Sequence, residues 1–321
     1  MVIESGNNRI KLYFHFGWHS GVEAAEKVGK YIEAVKPDVV LLENAFSTEQ
    51  RSRELEDKFD REELLSNPYA DNVNRLIKKH SPNARIFVPE RFTLNDSNAL
   101  RQTQKNSDEV QDDSIGEYLN GNPVSALQKF KKFTALHARA QVLRETHLMS
   151  VVKNLHRLLA ERYPELLNRK KINVLVAYGH AHTSLYHYAA KAGFSSVERD
   201  KPRIYFTAQA SLMRSAIFRK PIPENKLHIE FIATWLMPYI VGLAKTLDHS
   251  DCAAASYLVA QRLSKEDFNH ISHEMARNQT EDLLGFTNLL SQRGVYVPRS
   301  ESEIIALLKR KRIRSMSTKM G

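Results

Sequence analysis

The sequence predicts an α/β protein: a mostly parallel sheet flanked by helices, with an all-helical C-terminal region. Three observations predict it. Strand and helix signals alternate through the first half of the 321 residues. The runs 39–42 (VVLL) and 172–178 (INVLVAY) are almost wholly apolar, as strands buried on both faces are. After about residue 208 the pattern changes to near-continuous helix. The expected division is therefore a core domain over 1–207 and a helical region with a basic tail over 208–321.

The elements follow in order. Residues 10–16 (IKLYFHF) are β-branched and aromatic, a strand signal. Residues 22–35 carry apolar side chains at helical spacing, and Pro37 stops that helix. The buried strand 39–42 follows, then a charge-rich helical stretch over about 48–79, then a third strand at 84–88 (ARIFV). This β-α-β-α-β order argues for parallel pairing. Residues 95–122 are polar, with Asp108, Glu109, Asp112 and Asp113, and read as a long loop holding one short helix. A long helix is expected over 124–162, whole or broken in two. The fourth strand, 172–178, leads to a helix at 184–192 ending on Gly193, a residue suited to helix C-caps. A fifth strand is expected at 203–207 (RIYFT). Helices then follow at about 208–219, 225–247, 251–262, 265–277, 280–292 and 301–316.

Composition narrows the class. The single cysteine, Cys252, permits no internal disulfide and no cysteine-based zinc site. It fits a reducing compartment, and residues 1–8 lack an apolar signal-peptide core, so a cytoplasmic protein is expected. No run of roughly 18 apolar residues exists to span a membrane. The nearest, 231–244, is short, holds Pro238 and reads as a buried helix. The net charge of +10 is concentrated: Lys309, Arg310, Lys311, Arg312, Arg314 and Lys319 supply six of the positive charges. The plain reading of that tail is a solvated helix end, since basic residues suit a helix C-terminus; an acidic partner is the alternative. Without interleaved aromatics it offers no stacking platform, and nucleic acid is not the expected partner.

In a parallel sheet, ligands bind beyond the carboxyl ends of the strands. The first strand runs into Gly17-Trp18-His19, the second ends at Glu43, and the fourth runs into Gly179-His180-Ala181-His182. Each exit offers a side chain able to bind metal or move protons. The third strand ends at Pro89-Glu90-Arg91, which adds a carboxylate and a guanidinium for substrate. Two His and one Glu with an open fourth position form a recurrent hydrolytic metal arrangement for Zn, with Mn and Co as further candidates. Without metal, a His/Glu pair can still activate water as a general base. Taken singly, a His after a strand is more often a hydrogen-bonded structural residue; the joint placement is what points to function.

Other features are weaker. His270, His273 and Glu274 fall at helical spacing but lack the His-Glu-x-x-His order, and read as an exposed polar face. Strand geometry does not bring His15 to His19. Trp235 reads as packing, whereas Trp18 sits where it could wall a pocket. No Gly-rich phosphate loop and no Gly-x-Ser-x-Gly elbow is present. Cys252 reads as inert core.

The same elements carry a resemblance. A strand running into Gly17-Trp18-His19, a helix, then Pro37-Asp38-Val39-Val40-Leu41-Leu42-Glu43, a helical Arg144-Glu145-Thr146-His147-Leu148-Met149, and Gly179-His180-Ala181-His182 occur in that order. This resembles the superfamily of TraB/PrgY pheromone-shutdown, GumN/Tiki, erythromycin esterase-like and ChaN-like proteins. The first turn is Gly-x-His, one residue shorter than the Gly-x-x-His of the family, and Glu145 stands where Asp or Asn is usual. The resemblance implies a site in which His19, Glu43 and His182 hold a divalent metal or activate water. Arg144 would then bind a carboxylate or an oxyanion. His180 is either the partner that fixes the His182 tautomer or itself the ligand. The implied activity is hydrolysis of a peptide, ester or similar carbonyl bond. The alternative is a non-enzymatic pocket for haem, a peptide or a small molecule.

Overall fold

The computed structural model describes residues 9–17, 22–44, 47–61, 63, 68–179, 184–199, 212, 215–216, 224–247 and 249–317. The chain divides into two compact units: Met1–Gln102 with Ala140–Arg203, and Thr103–Arg139 with Ile204–Gly321. The expected α/β core and helical region are thus both present, but residues 103–139 belong with the C-terminal helices rather than with the sheet.

The first unit is built on β1 (Ile10–Gly17), β2 (Val39–Leu42), β3 (Arg85–Phe87), β4 (Ile172–Gly179) and β5 (Ser196–Arg199). Their order is β3-β2-β4-β1-β5, and every pairing is parallel. The expected strand at 203–207 lies outside the described residues; the described fifth strand, β5, lies a few residues earlier and pairs with β1.

Period-two alternation assigns the two faces. Ile10, Leu12, Phe14, Val39, Leu41, Val174 and Val176 point to one side. There they meet Leu148, Met149 and Val152 of α5 (Pro123–Lys153), Leu155 and Leu159 of α6 (Leu155–Arg162), and Leu185 of α7 (Ser184–Ala189). Val40, Leu42, Leu175 and Ala177 point to the other side. They meet α1 (Val22–Val35), α2 (Glu49–Asp60) and α3 (Pro68–His80) through Ala25, Val28, Ile32, Phe59, Val73 and Ile77. The charge-rich stretch expected at 48–79 is thus two helices. The long helix expected over 124–162 breaks at Asn154, whose side-chain amide donates to the Ser150 carbonyl at 2.8 Å.

The expected loop over 95–122 is instead a 26-residue helix, α4 (Leu94–Leu119). Hydrophobic periodicity misses it because the buried face carries serines: Ser97, Ser107 and Ser114 are all buried. Serine hides its hydroxyl by bonding to backbone. Within the helical unit the Ser114 hydroxyl donates to the Ala126 carbonyl of α5 at 2.7 Å. The Ser107 hydroxyl likewise donates to the Phe133 carbonyl at 3.5 Å, so two serines of α4 bond across to α5. Gly121 makes the turn between them with φ of 78°, and a Cβ would lie 3.1 Å from the Ala276 Cβ.

The helical unit is completed by α8 (Glu224–Leu243), α9 (His249–Ala260), α10 (Lys265–Arg277), α11 (Leu283–Gln292) and α12 (Glu301–Ser317). As expected, α8 is a buried helix; Phe231, Ile232, Leu236 and Ile240 lie in the core. Aromatic rings fill its centre: Tyr118 packs on Phe231, Trp235, Phe268 and Phe286. Ser264 caps α10 in a reciprocal box with Asp267, the hydroxyl accepting from the Asp267 N–H at 3.0 Å. Ser264→Ala is expected to lower the urea midpoint by an amount equivalent to about 1 kcal/mol. Among the described residues no helix is long and apolar enough to cross a membrane.

Candidate functional site

All strands of the sheet point the same way, so their carboxyl ends share one edge. β1 and β4 are neighbours, and their last residues, Gly17 and Gly179, are register partners. The helix after β1 goes to one face and the helix after β4 to the other, as the two apolar layers show. Such a divergence is the switch point at which open α/β sheets take their ligands.

Beside that point the structure gathers four side chains. Val39, Leu41 and Glu43 share a side of β2 by parity, and Tyr178 has the same parity on β4; both therefore face α5. The Glu43 backbone N–H bonds the Ala177 carbonyl at 3.3 Å. Its Oε2 accepts from the Gly179 N–H at 2.6 Å, fastening the exit of β4. Its Oε1 accepts from Arg144 Nη2 at 2.5 Å. The same nitrogen donates to Glu90 Oε1, also at 2.5 Å. One guanidinium nitrogen therefore joins two carboxylates that lie at most twice that distance apart. Glu90 is 0% exposed and Arg144 8%. The Ser52 hydroxyl donates to the Glu90 carbonyl at 2.5 Å, which pins the backbone under the carboxylate.

Burial opposes the charge on Arg144, yet Glu90 and Glu43 outweigh it and raise the guanidinium above its ordinary range. The Tyr178 phenol is also raised, first by burial and then by the fields of Glu90 and Glu43, so it holds its proton. Two carboxylates thus share one guanidinium nitrogen beside the strand ends.

The other expected residues fall differently. Arg91 turns away from the cluster. Its Nε donates to the Val88 carbonyl at 3.1 Å, Nη1 to Glu49 at 2.8 Å and Nη2 to Glu56 at 2.6 Å. With Arg162 on the second Glu56 oxygen and both guanidinium groups over the Phe87 ring, it braces the end of β3 rather than a substrate. His19, His180, His182 and Trp18 lie outside the described residues. Among the described residues no group of three His, Cys, Asp or Glu could hold a metal. His15 packs beside Tyr31 of α1. His270 and His273 are exposed on α10, as an outer polar face would be. Cys252 is buried, and burial pushes its thiol up to about 11, consistent with inert core.

Sequence reasoning missed two neighbours of the site. Tyr178 read only as a strand residue, although its parity with Val174 and Val176 points it at α5. His147 stands three residues after Arg144, on the same helix face. Its ring lies against Phe92 with centroids 4.6 Å apart, and its Nε2 is 3.2 Å from both the Arg91 nitrogen and the Pro89 oxygen.

Comparison with protein-family models, with curated proteins and with solved structures finds no match to this chain.

Proposed function

We propose that the carboxyl edge of the sheet is a hydrolytic site, metal-assisted, for a peptide, ester or similar carbonyl bond, of the TraB/PrgY, GumN/Tiki and erythromycin esterase-like kind. The observation that carries this reading is the pair of carboxylates, Glu43 and Glu90, held on the buried Arg144 beside the β1/β4 switch point. Paired carboxylates at a strand edge suit general acid–base work on water and leaving group. The fit to a divalent Mn, Co or Zn ion rests on carboxylate oxygen as a donor type, and Glu43 would exchange one of its present hydrogen bonds for the ion. His19 and His182, which follow the partnered Gly17 and Gly179, would complete the donor set.

When bound, such an ion polarises the carbonyl and acidifies water. The chain's own groups have separate tasks. Glu43 holds the Gly179 amide and so sets the start of the segment that carries His180 and His182. Arg144 holds both carboxylates in place, and Glu90 lies fully buried on it. Trp18 would wall the site, and the basic tail from Lys309 onward would serve an acidic partner. The reading places the chain in the cytoplasm, where Cys252 stays reduced.

The test has two parts. Elemental analysis after exposure to Mn, Co and Zn should find about one ion per wild-type chain, lost in a His19→Ala/His182→Ala double variant. Turnover found in a screen of peptides and esters should fall about 10²–10⁴-fold in Glu43→Gln. Undiminished turnover in Glu43→Gln refutes the reading. A haem or peptide retained by the protein with no turnover replaces it with the ligand-binding alternative.

A further inference from the structure

His147 Nε2 stands 3.2 Å from two backbone groups that flank Glu90: the N–H of Arg91 and the carbonyl of Pro89. A ring nitrogen cannot serve both in one protonation state. Neutral, with its proton on Nδ1, the ring accepts from the Arg91 N–H; protonated, Nε2 donates to the Pro89 oxygen. We propose that His147 is a proton-operated brace on the turn that carries Glu90, exchanging an accepted Arg91 N–H for a donated Pro89 carbonyl bond when it takes up a proton from water. The inference rests on the reading that Glu90 belongs to the working site.

The geometry around the ring supports an exchange rather than a simple loss. Phe92 covers one face of the imidazole, so it keeps its place in both states. Glu90 itself is fixed at its other groups, by Ser52 on its carbonyl and Arg144 on its carboxylate. A change in the hydrogen bonds at residues 89 and 91 therefore acts on a carboxylate that has little freedom to absorb it. The charged groups that act on the ring are Asp96 on α4 and Glu49 on α2; Arg91 meets it through its backbone N–H, its guanidinium lying on Glu49 and Glu56. Burial lowers the His147 pKa; the Pro89 carbonyl, Asp96 and Glu49 act against it. The folded chain thus favours the neutral ring. As pH falls below the ordinary histidine range the unfolded chain binds the proton first, so this group's contribution to stability declines down to the folded midpoint and is level below it.

His147 is a positioning residue on this account, and its signature is spectroscopic. In the isotopically labelled full chain, without substrate, the His147 ring and the amides of Glu90 and Arg91 are followed by NMR from about pH 8 to about pH 4.5. All three should titrate with one midpoint below that of an exposed histidine, and the Arg91 amide proton should move upfield as its acceptor is lost. In His147→Gln, whose amide has a neutral acceptor and a neutral donor, the two backbone amides should stay flat. Flat Glu90 and Arg91 amides during the ring's titration overturn the proposal. So does the same midpoint persisting in His147→Gln, or a ring that does not titrate in this range. Because no substrate is present, failure of the hydrolase reading leaves this test intact, and flat amides overturn the brace even in an active enzyme.

Discussion

Arg144→Met is expected to lower the stability of the sheet unit by about 3–5 kcal/mol, the range for removing one partner from a buried ion pair. The variant removes the guanidinium that Glu43 and Glu90 share, and Glu90 is fully buried. Methionine fills much of the arginine stem's volume, so the loss reports charge rather than a cavity. Urea unfolding at pH 7, followed by far-UV circular dichroism and by amide exchange at β2 and β4, measures it. Adding Glu90→Gln to Arg144→Met should restore part of the loss, because a neutral amide needs no counter-charge; a double-mutant cycle gives the coupling. The deficit should also shrink towards acid pH, where a buried carboxylate deprived of the guanidinium sheds its charge by taking up a proton. A loss below about 1 kcal/mol would place the trio in solvent, as for surface pairs, and remove the main support for a preorganised site.

Tyr118→Ala is expected to cost the helical unit about 3–5 kcal/mol, the range for deleting a buried aromatic ring. Tyr118 is 0% exposed and packs against four other aromatic rings. Its hydroxyl donates to the Phe268 carbonyl at 2.9 Å, and its own carbonyl accepts from the Ser272 hydroxyl at 2.6 Å. It is thus the joint between α4 and α10. Tyr118→Phe keeps the ring and isolates the hydroxyl, so its loss should be only about 0.5–1.5 kcal/mol. Trp235 lies 5.7 Å from the Tyr118 ring, so in a Trp18→Phe background its fluorescence reports the transition of this unit. Equal losses in the two variants would mean that the hydrogen bond, not the ring, holds the joint.

The two sites differ in how plainly the sequence announces them. Glu43 is legible because a short apolar strand must end somewhere, and a parallel sheet brings all such ends to one edge. Tyr118 is not, since nothing near it in the chain shows that α4 is a helix. Ser107 and Ser114 of α4 look polar in sequence, yet their hydroxyls donate to backbone carbonyls of α5, those of Phe133 and Ala126.

The sequence by itself determined the parallel α/β unit, four of its five described strands, the helical C-terminal region and the strand exits at Glu43 and Glu90. Each of these follows from local periodicity and from the rule that parallel strands end together. Only the tertiary structure decided that 103–139 joins the helical unit, that Arg144 bridges Glu43 and Glu90, that Arg91 braces β3 instead of facing the site, and that His147 touches both peptide groups around Glu90. Those outcomes depend on which charged groups meet after the chain has folded. Arg144 lies 101 residues from Glu43 along the chain. A buried guanidinium takes the carboxylates the fold places beside it, whatever its spacing from them in sequence.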